Sequence, residues 1–255
     1  MERVLIILFL ALMCRVPVMA QTEGGLLLSG EVEKKINRQL SASVEADFRT
    51  RNDFKTVDRW SGSLGVGYKV TKWLKADAGY SLLYSNNREK IKEGSYWRPS
   101  YWSTRHRVNA SVTADYKFFG NIHVSLRERW QYTYRPETTT DRYYFADYPS
   151  ATWTGSMAGW NATEKVRDAK SKNQLRSRFQ VEYDKKHNNI KPYASIELYN
   201  SFGIEKIRYN VGTDIKLSKQ HSLDVYYRYQ DQKNVDDADY EPDMHYIGVG
   251  YKFRF

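Results

Sequence analysis

The strongest constraint on this chain is an alternation of apolar and polar residues that recurs along most of its length. In residues 40–49, LSASVEADFR, every second position from Leu40 to Phe48 is apolar and the positions between are polar. A period of two residues is typical of a β-strand with one apolar and one polar face. The pattern predicts strands near residues 26–36, 40–49, 60–70, 74–84, 106–118, 122–134, 175–183, 194–198, 207–217, 223–229 and 247–255.

The polar faces decide what kind of sheet these strands form. They carry charges at alternate positions, such as Arg105 and Arg107. A soluble sandwich or lipocalin needs an apolar inner face, whereas this pattern suits lipid outside and a polar lumen. Because an open sheet edge in lipid leaves backbone groups unpaired, the sheet must close. We therefore expect an all-β fold, a transmembrane antiparallel up-and-down β-barrel of about 10–12 strands.

The connections between the predicted strands support this fold. Apart from a short link at 200–203, short connections near 37–39, 71–73, 119–121, 185–189 and 218–220 alternate with longer polar ones near 50–58, 85–104, 135–173 and 231–243. Outer-membrane barrels have short periplasmic turns and longer external loops. With both termini in the periplasm the strand number must be even. We therefore expect ten or twelve strands, the weak first segment being split or outside the sheet.

Residues 1–20 have the pattern of a secretory signal peptide. Arg3 precedes an apolar run from Val4 to Met13, and Val18-Met19-Ala20 stands before Gln21. The run is shorter than the ~20 residues of a spanning helix. We expect residues 1–20 to be cleaved and residues 21–255 to form a single barrel domain in the bacterial outer membrane.

The only cysteine, Cys14, lies within this predicted peptide. After cleavage the chain has no thiol, which excludes disulfides, iron–sulfur clusters and cysteine catalysis. A lipoprotein signal ending at Cys14 is the alternative, and the bulky Met13 before the cysteine argues against it.

The C-terminal stretch HYIGVGYKFRF alternates in the same way and ends on an aromatic residue. Its apolar positions are Ile247, Val249, Tyr251, Phe253 and Phe255. A terminal phenylalanine after such a strand resembles the C-terminal signal of bacterial outer-membrane proteins, which the barrel-assembly machinery reads by pairing with the last strand. The alternative is an ordinary amphipathic strand that finishes the chain.

Several stretches resemble one family of outer-membrane proteins. They are the Arg127-x-Arg129 strand after a Phe-Gly-Asn turn, the strand from Lys191-Pro192-Tyr193 to Glu197-Leu198, the strand from Lys206 to Gly212, and Tyr226-Tyr227-Arg228-Tyr229-Gln230. In these strands the chain is similar to the family catalogued as domain of unknown function 2490. The resemblance implies an outer-membrane barrel and lends no activity, substrate or catalytic residue.

The charged residues of the polar faces suggest a network inside the barrel. Its predicted members are Arg127, Arg129, Arg176, Arg178, Glu182, Glu197 and Arg208. Opposite charges on neighbouring strands brace a narrow interior, because confined charges must be paired or hydrated. Unpaired arginines would instead favour an anion-preferring pore. Since a barrel of this size is narrow compared with porins, we expect a narrow or filled lumen, with external loops that bind a ligand or the neighbouring envelope.

Composition suggests partners only in outline. The chain has a formal net charge of +10. In an exported protein this favours outer-membrane lipid, lipopolysaccharide or anionic glycan over nucleic acid as a partner. The soluble ligand, if the protein has one, is not predicted.

One pair of residues suggests catalysis. His123 and Ser125 lie on one face of a strand, and outer-membrane phospholipases and lipid A deacylases use a His-x-Ser pair as base and nucleophile. Alternation places this pair in the lumen instead of towards lipid, and hairpin pairing sets Lys117 opposite His123. Across the other edge of this strand, Glu182 or Asp184 is expected to approach the His123–Ser125 pair. We favour a protein that is not an enzyme, with a lipid hydrolase as the lesser alternative.

No residue pattern predicts a metal or cofactor. The five histidines are His106, His123, His187, His221 and His245, and none has the paired spacing of a zinc ligand. The acidic run from Asp236 to Asp239, followed by Glu241, is read as a solvated loop in preference to a weak calcium site. Glycine-rich phosphate loops and a nucleophile elbow are absent from the sequence.

Overall fold

The computed structural model describes residues 22–92, 96–118, 120–145, 160–185, 188–233 and 241–255. Its strands are β1 (Thr22–Lys35), β2 (Leu40–Arg51), β3 (Thr56–Lys69), β4 (Leu74–Asn87), β5 (Lys90–Lys92), β6 (Tyr96–Arg98), β7 (Tyr101–Phe118), β8 (Ile122–Arg135), β9 (Thr138–Phe145), β10 (Trp160–Arg167), β11 (Lys170–Tyr183), β12 (Ile190–Asn200), β13 (Ile204–Lys216), β14 (His221–Gln232) and β15 (Asp243–Arg254). In these ranges, no helix is long and apolar enough to cross a membrane. The predicted signal peptide lies outside them.

Eleven of the strands form a closed barrel in the order β1-β15-β14-β13-β12-β11-β8-β7-β4-β3-β2. The all-β barrel predicted from the alternation is confirmed, but the expectation of ten or twelve strands is wrong. The weak first segment is a full strand of 14 residues within the sheet. Adjacent barrel strands alternate in direction, so an odd number leaves the first and last running the same way.

The barrel therefore closes through a parallel pair and is not antiparallel throughout. Leu26 of β1 is in register with Ile247 of β15, and Gly30 with Tyr251. A parallel ladder satisfies the backbone groups as an antiparallel one does. Because β1 runs alongside β15, it begins at the end of the barrel that carries the longer connections, which we call the long-loop end, and finishes at the opposite short-turn end.

Charged side chains reinforce this closure on the lumen side. Lys252 Nζ lies 2.7 Å from Glu31 Oε1 and 2.9 Å from Glu33 Oε2, and Arg254 Nε lies 3.1 Å from Glu33 Oε2. The backbone also continues the pairing past the strand, since Lys35 N–H donates to the Phe255 carbonyl at 2.9 Å. Ion pairs thus connect the first and last strands near the short-turn end.

The two faces of the barrel have the polarity predicted from the sequence. Outward side chains are apolar and exposed, as at Leu64 (59%) and Val112 (49%), whereas inward polar side chains such as Gln131 and Gln230 are buried. Glu128 departs from this pattern, because its carboxylate lies on the outward face in the middle of β8. Its Oε2 accepts a hydrogen bond from Ser177 Oγ at 2.7 Å.

Four strands form a separate sheet in the order β10-β9-β6-β5. Each of the four is joined by two residues to a barrel strand: β10 to β11, β9 to β8, β6 to β7 and β5 to β4. The four strands therefore follow the same order as β11-β8-β7-β4, and the sheet extends this part of the barrel wall at the long-loop end. We call it the external sheet. Rings pair across its strands, with the centroids of Trp97 and Tyr143 5.0 Å apart and Arg142 lying 4.5 Å from the Tyr96 ring. The long connection between β8 and β11 is therefore folded at β9 and β10.

Candidate functional site in the barrel lumen

A buried carboxylate on β12 organises the charged side chains of the lumen. The Glu197 side chain is only 4% exposed, and its Oε1 accepts hydrogen bonds from Arg127 Nη2 at 3.0 Å and Arg176 Nη2 at 2.8 Å. Its Oε2 accepts a hydrogen bond from the Tyr199 hydroxyl at 2.9 Å and lies 3.7 Å from Arg208 Nη1. We call these five residues the Glu197 hub. One carboxylate thus serves three guanidinium groups.

The ring of Tyr199 binds cations as well. Arg176, Lys206 and Arg208 lie 4.5, 4.5 and 4.7 Å from its centroid. Arg208 also donates a hydrogen bond to the Tyr199 hydroxyl. A cation within about 6 Å of an aromatic face is attracted by the ring quadrupole. The tyrosine therefore supplements the charge of Glu197.

Strand register explains how the hub assembles. Glu197 on β12 is opposite Arg178 on β11 and Arg208 on β13, and Tyr199 follows two residues later on the same face. Arg176 lies two residues before Arg178 on β11, so it reaches the same carboxylate. Alternation places Lys206 on the lumen face but does not predict its part in the network. Sequence reasoning missed Tyr199, which alternation also places on that face.

The seven residues of the predicted network do not form one cluster. Four of them, Arg127, Arg176, Glu197 and Arg208, meet in the hub. Arg129 and Arg178 face the lumen beside it and form no ion pair within 4.0 Å in the described part of the chain.

Glu182 lies apart from the hub, towards the short-turn end. Its Oε1 is 3.9 Å from Lys191 Nζ. The predicted network is therefore divided between a hub near the middle of the lumen and a smaller group of charges at one end.

Charges on opposite walls also act on one another across the lumen. Arg59 on β3 and Arg208 on β13 interact electrostatically, although four strands separate them by the shorter way round the barrel. Arg107 on β7 likewise interacts with Arg208. Long side chains from several walls therefore occupy the middle of the lumen.

His123 lies near the short-turn end between two acidic residues. Its Nδ1 is 3.5 Å from Asp115 Oδ1, and its Nε2 is 3.9 Å from Asp184 Oδ2. The register sets Lys117 on one side of His123 and Glu182 on the other, as the sequence suggested. Beyond the end of β11, Lys191 donates a 2.9 Å hydrogen bond to Asp184 and lowers the pKa of that carboxyl.

The geometry does not assemble a base and a nucleophile. Ser125 is in register with Asp115 on β7 and Gln180 on β11. Across the described residues, no hydrogen bond joins Ser125 to His123, and His123 Nε2 is buried without a hydrogen-bond partner. His123 therefore contacts acidic groups instead of an activated hydroxyl.

The remaining described histidines face outward and pair with tyrosines. His106 Nδ1 is 2.7 Å from the Tyr80 hydroxyl, and His221 Nδ1 is 2.5 Å from that of Tyr251. His245 is hydrogen-bonded to Tyr227. Where the structure describes the chain, no group of three His, Cys, Asp or Glu residues could hold a metal ion. His187 and the run from Asp236 to Asp239 lie outside the described ranges.

The alternating residues of the C-terminal stretch lie on the outward face of β15. These residues are Ile247, Val249, Tyr251, Phe253 and, directly after the strand, Phe255. The rings of Phe253 and Phe255 stack at 5.5 Å, and Lys34 Nζ lies 5.3 Å from the Phe255 ring. The terminal residue is thus fixed against β1 at the short-turn end.

Residues 24–241 match the family model described as Protein of unknown function (DUF2490). The chain belongs to this family. The family suggested by its strand motifs is thereby confirmed. No curated protein matches this DUF2490 chain.

Solved structures similar to the DUF2490 chain include two autotransporter domains. The β domain of the Bordetella autotransporter BrkA has a TM-score of 0.48 and 12% identity, covering 84% of this chain and 79% of that one. The translocator domain of NalP from Neisseria meningitidis has a TM-score of 0.46 and 12% identity, covering 88% and 77%. The CymD monoaromatic hydrocarbon channel has a TM-score of 0.40 and 10% identity, covering 79% and 67%.

Proposed function

We propose that this DUF2490 protein is an integral barrel of the bacterial outer membrane, inserted after export and removal of residues 1–20. The outward face supports insertion, because apolar side chains such as Leu64, Val112 and Ile247 are about half exposed around the barrel. Soluble monomers rarely expose so large an apolar surface. A closed sheet also leaves no backbone edge unpaired in lipid.

The barrel acts as a closed body instead of an open channel. The Glu197 hub is the observation that carries this proposal, because it ties β8, β11, β12 and β13 together with side chains that are 4–15% exposed. Electrostatic interactions between opposite walls, as between Arg59 and Arg208, support a lumen filled by side chains. Confined charges of this kind are stable when paired or hydrated.

The protein exerts its function through its outer surface, without catalysing a reaction. The external sheet offers cationic and aromatic residues at the long-loop end, including Arg142 stacked on Tyr96. Together with the net charge of +10, these residues favour anionic envelope components, lipopolysaccharide among them. During biogenesis, the barrel-assembly machinery would engage β15 before β1 completes the sheet.

Planar-bilayer conductance of the refolded mature protein tests the closed lumen. Only material that migrates differently before and after boiling should be used, because this shift reports a folded barrel. We expect no steady conductance from such material. Steps of regular size would contradict the proposal.

A small anion-preferring pore is the second candidate. It is favoured by Arg129 and Arg178, which face the lumen without a carboxylate at ion-pair distance among the described residues. Anion-selective steps that lose selectivity on Arg129→Gln would establish it. Lipid turnover that disappears on Ser125→Ala would instead establish a hydrolase, and its absence from folded protein would eliminate one.

A further inference from the structure

Four arginines face each other across two neighbouring strands of the lumen wall. Arg127 on β8 is directly opposite Arg178 on β11, and Arg129 is directly opposite Arg176. Like charges directly opposite each other destabilise a sheet. In a partly desolvated lumen the repulsion is larger than in water, so counter-charge is needed close by.

The protein supplies that counter-charge to only half of the set. Glu197 Oε1 binds Arg127 and Arg176, while its Oε2 is taken up by Tyr199 and lies near Arg208. Three hydrogen bonds and the Arg208 ion pair therefore engage this carboxylate within the hub. Arg129 and Arg178 remain without a carboxylate partner among the described residues.

The same two arginines keep unused hydrogen-bond donors. Their Nε atoms are buried and have no hydrogen-bond partner, which is also true of Arg127 and Arg176. Arg129 and Arg178 differ from those two because no carboxylate lies within 4.0 Å of their guanidinium groups among the described residues. Glu45 on β2 interacts with Arg129 electrostatically from across the lumen, but it lies beside Asp47 and Glu31 and forms no ion pair with Arg129 within 4.0 Å in the described chain. Two buried guanidinium groups thus present donors that the protein does not satisfy.

We propose that Arg129 and Arg178 bind a small free oxyanion, of the phosphate or sulfate class, as a resident counter-ion of the lumen. The two residues are diagonal neighbours on adjacent strands, a relation that sets their Cβ atoms roughly 7–8 Å apart. Long arginine side chains converge over that distance, and the guanidinium fork matches the oxygens of a tetrahedral anion. The site neutralises the two arginines to which Glu197 forms no hydrogen bond.

This site is independent of the closed-lumen proposal, because a bound counter-ion can exist in a barrel that conducts or in one that does not. Its test uses folded, full-length mature protein in detergent, freed of phosphate and sulfate and kept in chloride at constant ionic strength. Inorganic phosphate is the probe. The thermal midpoint is measured from the loss of the heat-modifiable form, and calorimetric titration gives the stoichiometry.

We expect one phosphate per barrel and a saturable rise in the thermal midpoint, of about 5–10 °C at a phosphate concentration one hundred times Kd. Arg129→Gln with Arg178→Gln should abolish the rise. Arg228→Gln is the matched control, because it removes one lumen charge from a residue that is satisfied by Asn210 at 2.6 Å. That variant should keep the response.

The double variant should also be at least as stable as the wild type in phosphate-free chloride, since it loses like-charge repulsion. This result would show that its lost response is not a failure to fold. A wild-type midpoint that does not respond to phosphate, or an equal response in the double variant, would overturn the proposal. A response to phosphate-bearing lipid alone would overturn the assignment to a free anion.

Discussion

Replacing Glu197 with glutamine should destabilise the barrel more than any other single loss of charge in the lumen. The change keeps the shape of the side chain but removes the charge that faces Arg127, Arg176 and Arg208, at 3.0, 2.8 and 3.7 Å. Removing one partner of a buried ion pair costs about 3–5 kcal/mol, because the remaining charge stays buried. We expect a fall of that size in the free energy of unfolding.

The matched control is Glu182→Gln, made on the neighbouring strand. The Glu182 side chain is 26% exposed and its cation, Lys191, is 3.9 Å away, so its loss should cost about 0–1 kcal/mol. Both variants and the wild type are unfolded with urea in lipid vesicles, with tryptophan fluorescence as the signal. If Glu197→Gln stayed within 1 kcal/mol of Glu182→Gln, the hub would not be a stabilising centre.

Four further predictions concern the faces and the closure of the barrel. Val211→Arg on the outward face of β13 should lower the free energy of unfolding by about 2–4 kcal/mol near the membrane midplane; unchanged stability would mean that the faces are reversed. Val112→Arg should cost less than Val211→Arg, because Glu128 is directly opposite. Replacing Glu31 and Glu33 with lysine should reduce the yield of heat-modifiable barrel, and adding Lys252→Glu with Arg254→Glu should restore it. If the yield were not restored, these ion pairs would not contribute to barrel closure. Deleting Phe255 should slow assembly in cells more than it lowers the stability of the finished barrel. Normal assembly without Phe255 would mean that the C-terminal stretch is an ordinary strand and not an assembly signal.

Alternation was sufficient to predict the barrel strands and both faces. It failed at the closure, because a period of two residues says which face a side chain occupies and nothing about which strand lies beside it. The parallel pairing of β1 with β15 depends on contacts between residues far apart in sequence, such as Lys252 and Glu31, which are separated by 221 positions. The assumption that both termini share one end of the barrel therefore gave an even number of strands.

The same limitation applies to the lumen. Alternation placed Arg127, Arg176, Glu197 and Arg208 on the inner face, but their meeting depends on register across β8, β11, β12 and β13. A long insert separates β8 from β11 in sequence, so alternation does not determine that these two strands pair. Tyr199 was missed for another reason: tyrosines are frequent in this chain, with 21 in all, and nothing in the sequence marks one as a cation partner.

The distribution of acidic residues explains why the lumen arginines are not neutralised by the opposite wall. Carboxylates are plentiful on β1 and β2, but Glu31 and Glu33 are engaged by Lys252 and Arg254 in the closure. Asp47 accepts a hydrogen bond from Ser61 at 3.1 Å. A carboxylate that left the closure to reach Arg129 would leave a lysine or arginine unpaired, so the exchange would gain nothing. Glu45 acts on Arg129 only from across the lumen, without an ion pair within 4.0 Å among the described residues. The counter-ion proposed for Arg129 and Arg178 therefore comes from solution.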